Sequence, residues 1–267
     1  MNLSQCIGLG VAGNFAKHLE QAGESKDFVN VAAAEGAPKG IFPFYLPNHD
    51  SFLATYPLSS QTQIATGTEN PQLEPEVALY CELSYLDGKV SAITPLKFAA
   101  FNDCTVRKEG ASKISQKKNW GEASKGVSDQ WLDLDKFERG GVLDNYNLAS
   151  FVTRDGVTYP YGVDTELLGY SYFYQQLMDW LLDKINHQQD QGPLENISEL
   201  LTQCNQPSHA IISIGATAYE EFGENNYLEA GDKITVVTYP NTIDNIKQCV
   251  EIGTFPEQCS VLQQEVK

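Results

Sequence analysis

The run LEPEVALYCELSYL, then Asp87-Gly88, then KVSAITPLKF, constrains this chain more than any other feature in it. Alternation at period two sends successive side chains to opposite faces of a sheet, and Asp-Gly is a favoured hairpin turn. Residues 73–98 are therefore expected to form a long β-hairpin. Residues 1–12 read as a short apolar strand running into a glycine turn, and AIISIGAT and DKITVVTY read as later strands. Helical spacing is rarer. It appears over 15–23, with Asn14 as a candidate N-cap, and over 164–185, opened by Asp164, while 186–208 is polar at both ends with a short amphipathic centre. Pro38, Pro43, Pro47 and Pro57 make 36–60 extended and loop-like. The expected class is α+β, predominantly β with a few flanking helices. The expected organisation is one domain over 1–267, with 1–60 as an N-terminal arm or lid.

Composition narrows the function. A chain of 267 residues with 42% hydrophobic and 20% charged residues is an ordinary globular protein. Its formal charge of −17 disfavours nucleic acid and anionic membranes as partners. No apolar run is long enough to span a bilayer, and the first residues lack a basic, then apolar, leader pattern. Six cysteines without a CxxC pair read as reduced thiols, so a cytoplasmic protein is expected.

Gly8-Leu9-Gly10-Val11-Ala12-Gly13 matches GxGxxG and stands between an apolar run and a helical stretch. A dinucleotide fold also needs an acidic residue ending the next strand and continued strand–helix alternation. A proline-rich segment follows instead, and we reject the motif as a cofactor site.

Glu74-Pro75-Glu76 opens the first strand of the expected hairpin, so both carboxylates project from one face. Two like charges repel, more so when buried, and a hard cation with oxygen preference relieves that conflict. Asp103, in the otherwise apolar run LKFAAFNDC, is the candidate third ligand. Alone, an E-x-E strand reads as a solvated face. Here six of the 18 basic residues, Arg107, Lys108, Lys113, Lys117, Lys118 and Lys125, crowd into one polar stretch just downstream. Three carboxylates and a divalent ion still sum to a negative charge, so an anionic substrate needs such cations nearby. Individually, all these lysines except Lys125 read as keeping an exposed loop soluble.

These residues resemble the fumarylacetoacetate hydrolase family, whose metal motif is E-x-E followed by N-D-x-S-x-R and then a tryptophan and a K-G pair. Here stand Glu74 and Glu76, Asn102-Asp103-Cys104-Thr105-Val106-Arg107, Trp120, and Lys125-Gly126. The family's early N-Y-x-x-H-x-x-E is similar to Asn14 to Gln21, and its T-G-T-P and L-x-x-G-D segments to the stretch with Gly215, Ala216, Thr217, Gly231 and Asp232. Gln21 replaces the usual glutamate, Lys108 replaces an acid, and GVSDQWLDLDKF stands where an apolar segment is usual, which marks a divergent branch.

The resemblance implies a mixed-sheet, sandwich-like roll that commonly forms homodimers, with helix 164–185 as one possible contact. It also implies Mg²⁺, or Mn²⁺ or Ca²⁺, on Glu74, Glu76 and Asp103. The implied reaction is hydrolysis or lysis of a small anionic keto acid or 1,3-dicarbonyl, as in acylpyruvate hydrolases and oxaloacetate decarboxylases. His18 would be the general base, oriented by Glu20 or Glu24; Lys125 would stabilise developing negative charge; Arg107, Thr217 and Tyr219 would contact substrate. His18 also reads as a helix histidine packed at the core edge. The alternative function is a catalytically weak metal- and ligand-binding protein of the same fold.

Overall fold

The structure, a computed structural model, describes residues 1–15, 21, 28, 33–34, 36–65, 70–108 and 110–267. In chain order the strands are β1 (Ile7–Ala12), β2 (Gly40–Tyr45), β3 (Leu58–Ser59), β4 (Thr62–Gln63), β5 (Pro71–Gln72), β6 (Pro75–Leu86), β7 (Lys89–Asn102) and β8 (Thr105–Val106). There follow β9 (Lys125–Val127), β10 (Leu132–Asp133), β11 (Tyr146–Arg154), β12 (Val157–Glu166), β13 (His209–Ser213), β14 (Lys233–Pro240) and β15 (Ser260–Val266). One mixed sheet runs β2-β1-β13-β6-β7-β9-β3, with β10 beside β7, and a second runs β12-β11-β14-β15-β4.

The expected hairpin is β6–β7, turning on Asp87 and Gly88, both at positive φ (51° and 81°) as a type I′ turn requires. It also joins the two sheets. Val77, Leu79, Cys81, Phe98 and Ala100 share one core with Leu148, Val152, Ile234, Val236 and Leu262 from the second sheet. Ala78, Ala99 and Phe101, on the other face, pack with Phe44, Val127 and Ile211. The hairpin is thus buried on both faces near the end that carries the acids, and half-exposed near its turn.

Two expectations change. The helix read over 164–185 spans Tyr174–His187. Asp164 belongs to β12, where its carboxylate accepts from the Tyr239 hydroxyl, and Gly169 with the aromatic run after it favours a short 3₁₀ turn over continuous helix. The helix buries Tyr174, Leu177, Met178, Leu181 and Ile185 in its own chain's core, so that face does not serve a partner. The backbone that Asn14 would cap lies outside the described residues. The fully buried Asn14 amide donates to the carbonyls of Tyr172 (2.9 Å) and Ile214 (2.8 Å) and accepts from Tyr172 N–H (2.8 Å). Most of the helix read over 15–23 lies outside the described residues, Gln21 being helical. The 36–60 segment contains a true strand, β2, at the margin of its sheet, where Pro43 is tolerated because an edge position loses little by lacking an N–H.

Gly8 and Gly10 explain the rejected GxGxxG. Both lie inside β1, where any Cβ would overlap the rings of Phe44 and Phe42 on the neighbouring strand. The glycines make room for aromatic packing, not for a phosphate. All six cysteines are free thiols. Among the described residues no helix is long and apolar enough to cross a membrane.

Candidate metal centre

The acidic cluster sits at one end of the first sheet, where β6 begins, β7 and β13 end, and the backbone of Ala12-Gly13 leaves β1. Hairpin register brings two of its members together. Run strictly from the turn, the hairpin would set Phe101 opposite Glu74. Two bulges, between Ser84 and Tyr85 and between Tyr80 and Cys81, each take an additional residue from β7, so that Pro75 faces Asn102. Asp103 thereby comes level with Glu74, and its N–H donates to the Glu74 carbonyl (2.9 Å). Because the shift totals two residues, the side chains beyond the second bulge regain the faces that an unbulged hairpin would give them, which one bulge would not do.

Glu74, Glu76 and Asp103 are all buried, and each offers an oxygen within 4.8 Å of the others'. Neighbours fix each one. Glu76 accepts from the N–H of Gly215 (2.7 Å), a residue at φ +114° whose added Cβ would lie 2.8 Å from Asn14, so only glycine serves there. Asn102 donates to Gln63 (3.1 Å) and Gln264 (3.0 Å), anchoring the end of β7 to β4 and β15. Gly126 leaves the space that the Gln264 amide fills. β9 pairs Gly126 with Asn102, which sets the preceding Lys125 beside Asp103.

Among the described residues, three cations face the acids. Lys125 is fully buried, donates to Asp103, and lies over the Phe44 ring. Lys118 closes the one-turn helix Ser115–Lys118, and its ammonium lies 2.5 Å from Glu74 and 2.6 Å from Asp103. Arg107 bridges Gln72 (2.8 and 2.5 Å), the Tyr219 hydroxyl (3.2 Å) and, more distantly, Glu74 (3.4 Å). Burial and the neighbouring Asp103 charge raise the Glu76 carboxyl well above the usual carboxylate range, against the opposing pull of Lys118. Burial lowers the Lys125 ammonium, with Asp103 opposing. Cys104, beside Asp103, is pushed up to about 12 by burial, so it stays a thiol and is no nucleophile.

The structure therefore brings together Glu74, Glu76, Asp103, Arg107, Lys125 and Tyr219, with Thr217 beside them through its N–H to Pro75 carbonyl bond (3.2 Å). His18, Glu20 and Glu24 lie outside the described residues. Gln21 grips the Tyr219 backbone from both sides, accepting from its N–H (2.8 Å) and donating to its carbonyl (3.2 Å). Lys118 was missed by sequence reading, which gave it a solubilising part. The available signal was Ile114, buried four residues earlier on the same helical face. Gln72, which seats Arg107, carried no signal.

For a divalent ion the donor set is right in kind: three carboxylates, buried, converging and linked by backbone that cannot easily splay. The remaining cavity, lined by Val11, Phe42, the three acids and Lys118, is about 10 Å³, room for about one water.

This architecture is that of fumarylacetoacetate hydrolase-type proteins. Cg1458, solved with an inhibitor, is similar at 17% identity, over 97% of this chain and 76% of that one, with a TM-score of 0.55. A putative fumarylacetoacetate isomerase/hydrolase from Oleispira antarctica is similar at 12% identity (98% and 93% covered, TM-score 0.54). So is a putative HpcE protein from Mycobacterium smegmatis at 14% (98% and 75% covered, TM-score 0.54). The chain itself belongs to the family of unknown function DUF5718, whose profile matches residues 24–266, and so stands as a divergent branch of that fold. No curated protein matches it.

Proposed function

We propose that this chain is a metal-dependent enzyme that cleaves a C–C bond in a small anionic keto acid or 1,3-dicarbonyl compound, as a hydrolase or decarboxylating lyase. The observation that carries the reading is the meeting of Glu74, Glu76 and Asp103 around one point, with Lys125 beside them. A divalent ion, Mg²⁺ or Mn²⁺, held by those three acids supplies Lewis acidity toward a carbonyl oxygen. Lys125, oriented by Asp103 in a site shielded from bulk solvent, sets positive charge where an oxyanion or enolate develops. Arg107, aligned by Gln72 and the Tyr219 hydroxyl, and the Thr217–Tyr219 segment hold the substrate's anionic end. His18, carried from the family resemblance, takes the proton from water as general base, with the nearby Glu20 orienting it in place of the family's acid, whose position Gln21 holds. We place the enzyme in the cytoplasm, as a single catalytic domain over 1–267 and as a homodimer.

The chemistry of the fold's named members, isomerase as well as hydrolase, supports an enzyme that activates a carbonyl next to a breaking or shifting bond. A second reading, a catalytically weak binding protein, is favoured by Lys118 among the acids and by Gln21 where an acid is usual. Assays of acylpyruvates and oxaloacetate with Mg²⁺, and with excess EDTA, separate the two. Turnover that EDTA abolishes supports the enzyme; binding of Mg²⁺ and oxalate without turnover supports the second reading.

A further inference from the structure

Lys118 stands where a cation belongs. Its ammonium bridges an oxygen of Glu74 and an oxygen of Asp103, two of the three residues whose oxygens converge, and its side chain is 3% exposed. The aromatic face of Phe42 lies 5.1 Å beneath it. Among the described residues, three carboxylates meet three cations, Arg107, Lys118 and Lys125, so the formal charges of the cluster cancel with no ion added. A divalent ion entering beside a retained ammonium would leave two excess positive charges in a buried site, a cost that grows as water is excluded. The cavity beside Lys118 also offers too little room for an ion with its own water shell.

The segment that carries Lys118 is pinned at its other end. Lys113 donates to Asp190 (2.7 Å) and to the carbonyls of Gly192 (3.0 Å) and Leu194 (2.7 Å), and the Ser115 hydroxyl donates to Glu195. Those bonds hold the helical turn in place while leaving the side chain of Lys118, with its four rotatable carbons, as the part that can swing.

We infer that Lys118 is a built-in counter-cation of the acid triad, mutually exclusive with a divalent ion, which must displace its ammonium to bind. The inference rests on the metal reading of the triad, and goes beyond it by assigning Lys118 the control of ion affinity. The ammonium keeps the carboxylates together in the ion-free protein and sets how much ion is needed to load the site. Once displaced, Lys118 is exposed at the rim of the cavity.

The test is a Mn²⁺ titration, followed by electron paramagnetic resonance of the free ion, on the EDTA-treated full chain, on Lys118→Met and on the remote control Lys247→Met. The control should match the unmodified protein. Lys118→Met should bind Mn²⁺ at least roughly tenfold more tightly, because a like charge has left the site. Equal affinities overturn the inference and leave the metal reading standing. Binding by Lys118→Met alone supports the inference and sinks metal dependence of the native enzyme; binding by neither protein sinks both. Should Lys118→Met fold only with Mn²⁺ present, the ion has replaced the ammonium; should it stay unfolded even then, the inference falls. In the unmodified protein, reductive methylation read by peptide mass spectrometry should mark Lys118 only when a saturating divalent ion is added, and protection of Lys118 in the ion-bound protein would overturn displacement.

Discussion

Two ionic clusters among the described residues differ in a way that separates holding a fold from readiness to bind. In the first, Arg154 meets Asp232 through two parallel bonds (2.8 and 2.7 Å), Glu229 (2.9 Å) and the Tyr227 carbonyl (2.7 Å). Asp232 also accepts from the Glu229 N–H (2.9 Å), and the hydrogen bond to Asp232 holds the guanidinium charge firmly. There one guanidinium serves both acids, and Glu229 is largely exposed, so solvent screens the repulsion between the two like charges. In the second, Glu74, Glu76 and Asp103 crowd one another and share their cations; burial, with the Asp103 charge adding to it, makes Glu76 resist ionisation, and burial makes Lys125 resist protonation against the pull of Asp103. The first cluster is a finished fork. The second gains from an added cation or a negative ligand, and that responsiveness is what a binding site needs.

The contrast breaks most sharply at Asp103, the shared acceptor of Lys118 and Lys125. Asp103→Asn should cost about 3–5 kcal/mol in urea unfolding, because buried cations lose their partner, and should lower kcat at least about 10²-fold by misplacing Lys125. If stability is unchanged, the cluster is not the buried network described. Arg154→Met should cost a smaller amount, about 2–3 kcal/mol, since the arginine is partly solvated and one of its two acids, Glu229, is largely exposed. Its Mn²⁺ affinity and kcat should match the unmodified protein; a change in either would join the two clusters that we separate.

A third carboxyl sharpens the comparison. Burial raises Glu195 to about 7, with its Ser115 hydrogen bond opposing. Its folded value exceeds the unfolded one, so the folded state binds its proton more tightly and stability is full at pH below about 4.5. That contribution is lost as pH rises to about 7 and is constant above. Glu195→Gln keeps an acceptor for Ser115 without the charge. It should gain about 2–3 kcal/mol on the unmodified protein between pH 4 and pH 8 in calorimetry; parallel curves would refute the shift. The smallest effect is expected from Gln21→Ala, which frees the Tyr219 backbone: about 1 kcal/mol of stability, and a higher KM with kcat nearly intact. A fall in kcat alone would give Gln21 a place in the chemistry.

Much of the fold was legible where pattern is local. The 73–98 hairpin follows from alternation and one Asp-Gly pair, and the acids were found because charge inside an apolar run demands a partner. The strand pair β11–β12 escaped notice although Asp155-Gly156 marks it with the same turn chemistry, at positive φ. The 164–185 segment failed because helical spacing in its second half was extended across Gly169 and an aromatic cluster that tertiary packing holds in a turn. Lys118 failed for another reason: a lysine reads as solvent-facing until the fold shows what surrounds it.

The sequence by itself determined the hairpin, the pairing of Glu74 with Glu76 on one face, the family likeness, and the need for charge compensation, because each depends on residues close together in the chain. The tertiary structure alone decided that Asp103, not Phe101, stands level with Glu74, since two bulges set by packing on both faces of the hairpin move the register. It alone decided that an ammonium from a distant loop enters the triad. Register and loop docking are fixed by contacts summed over the whole core, and no local pattern contains that sum.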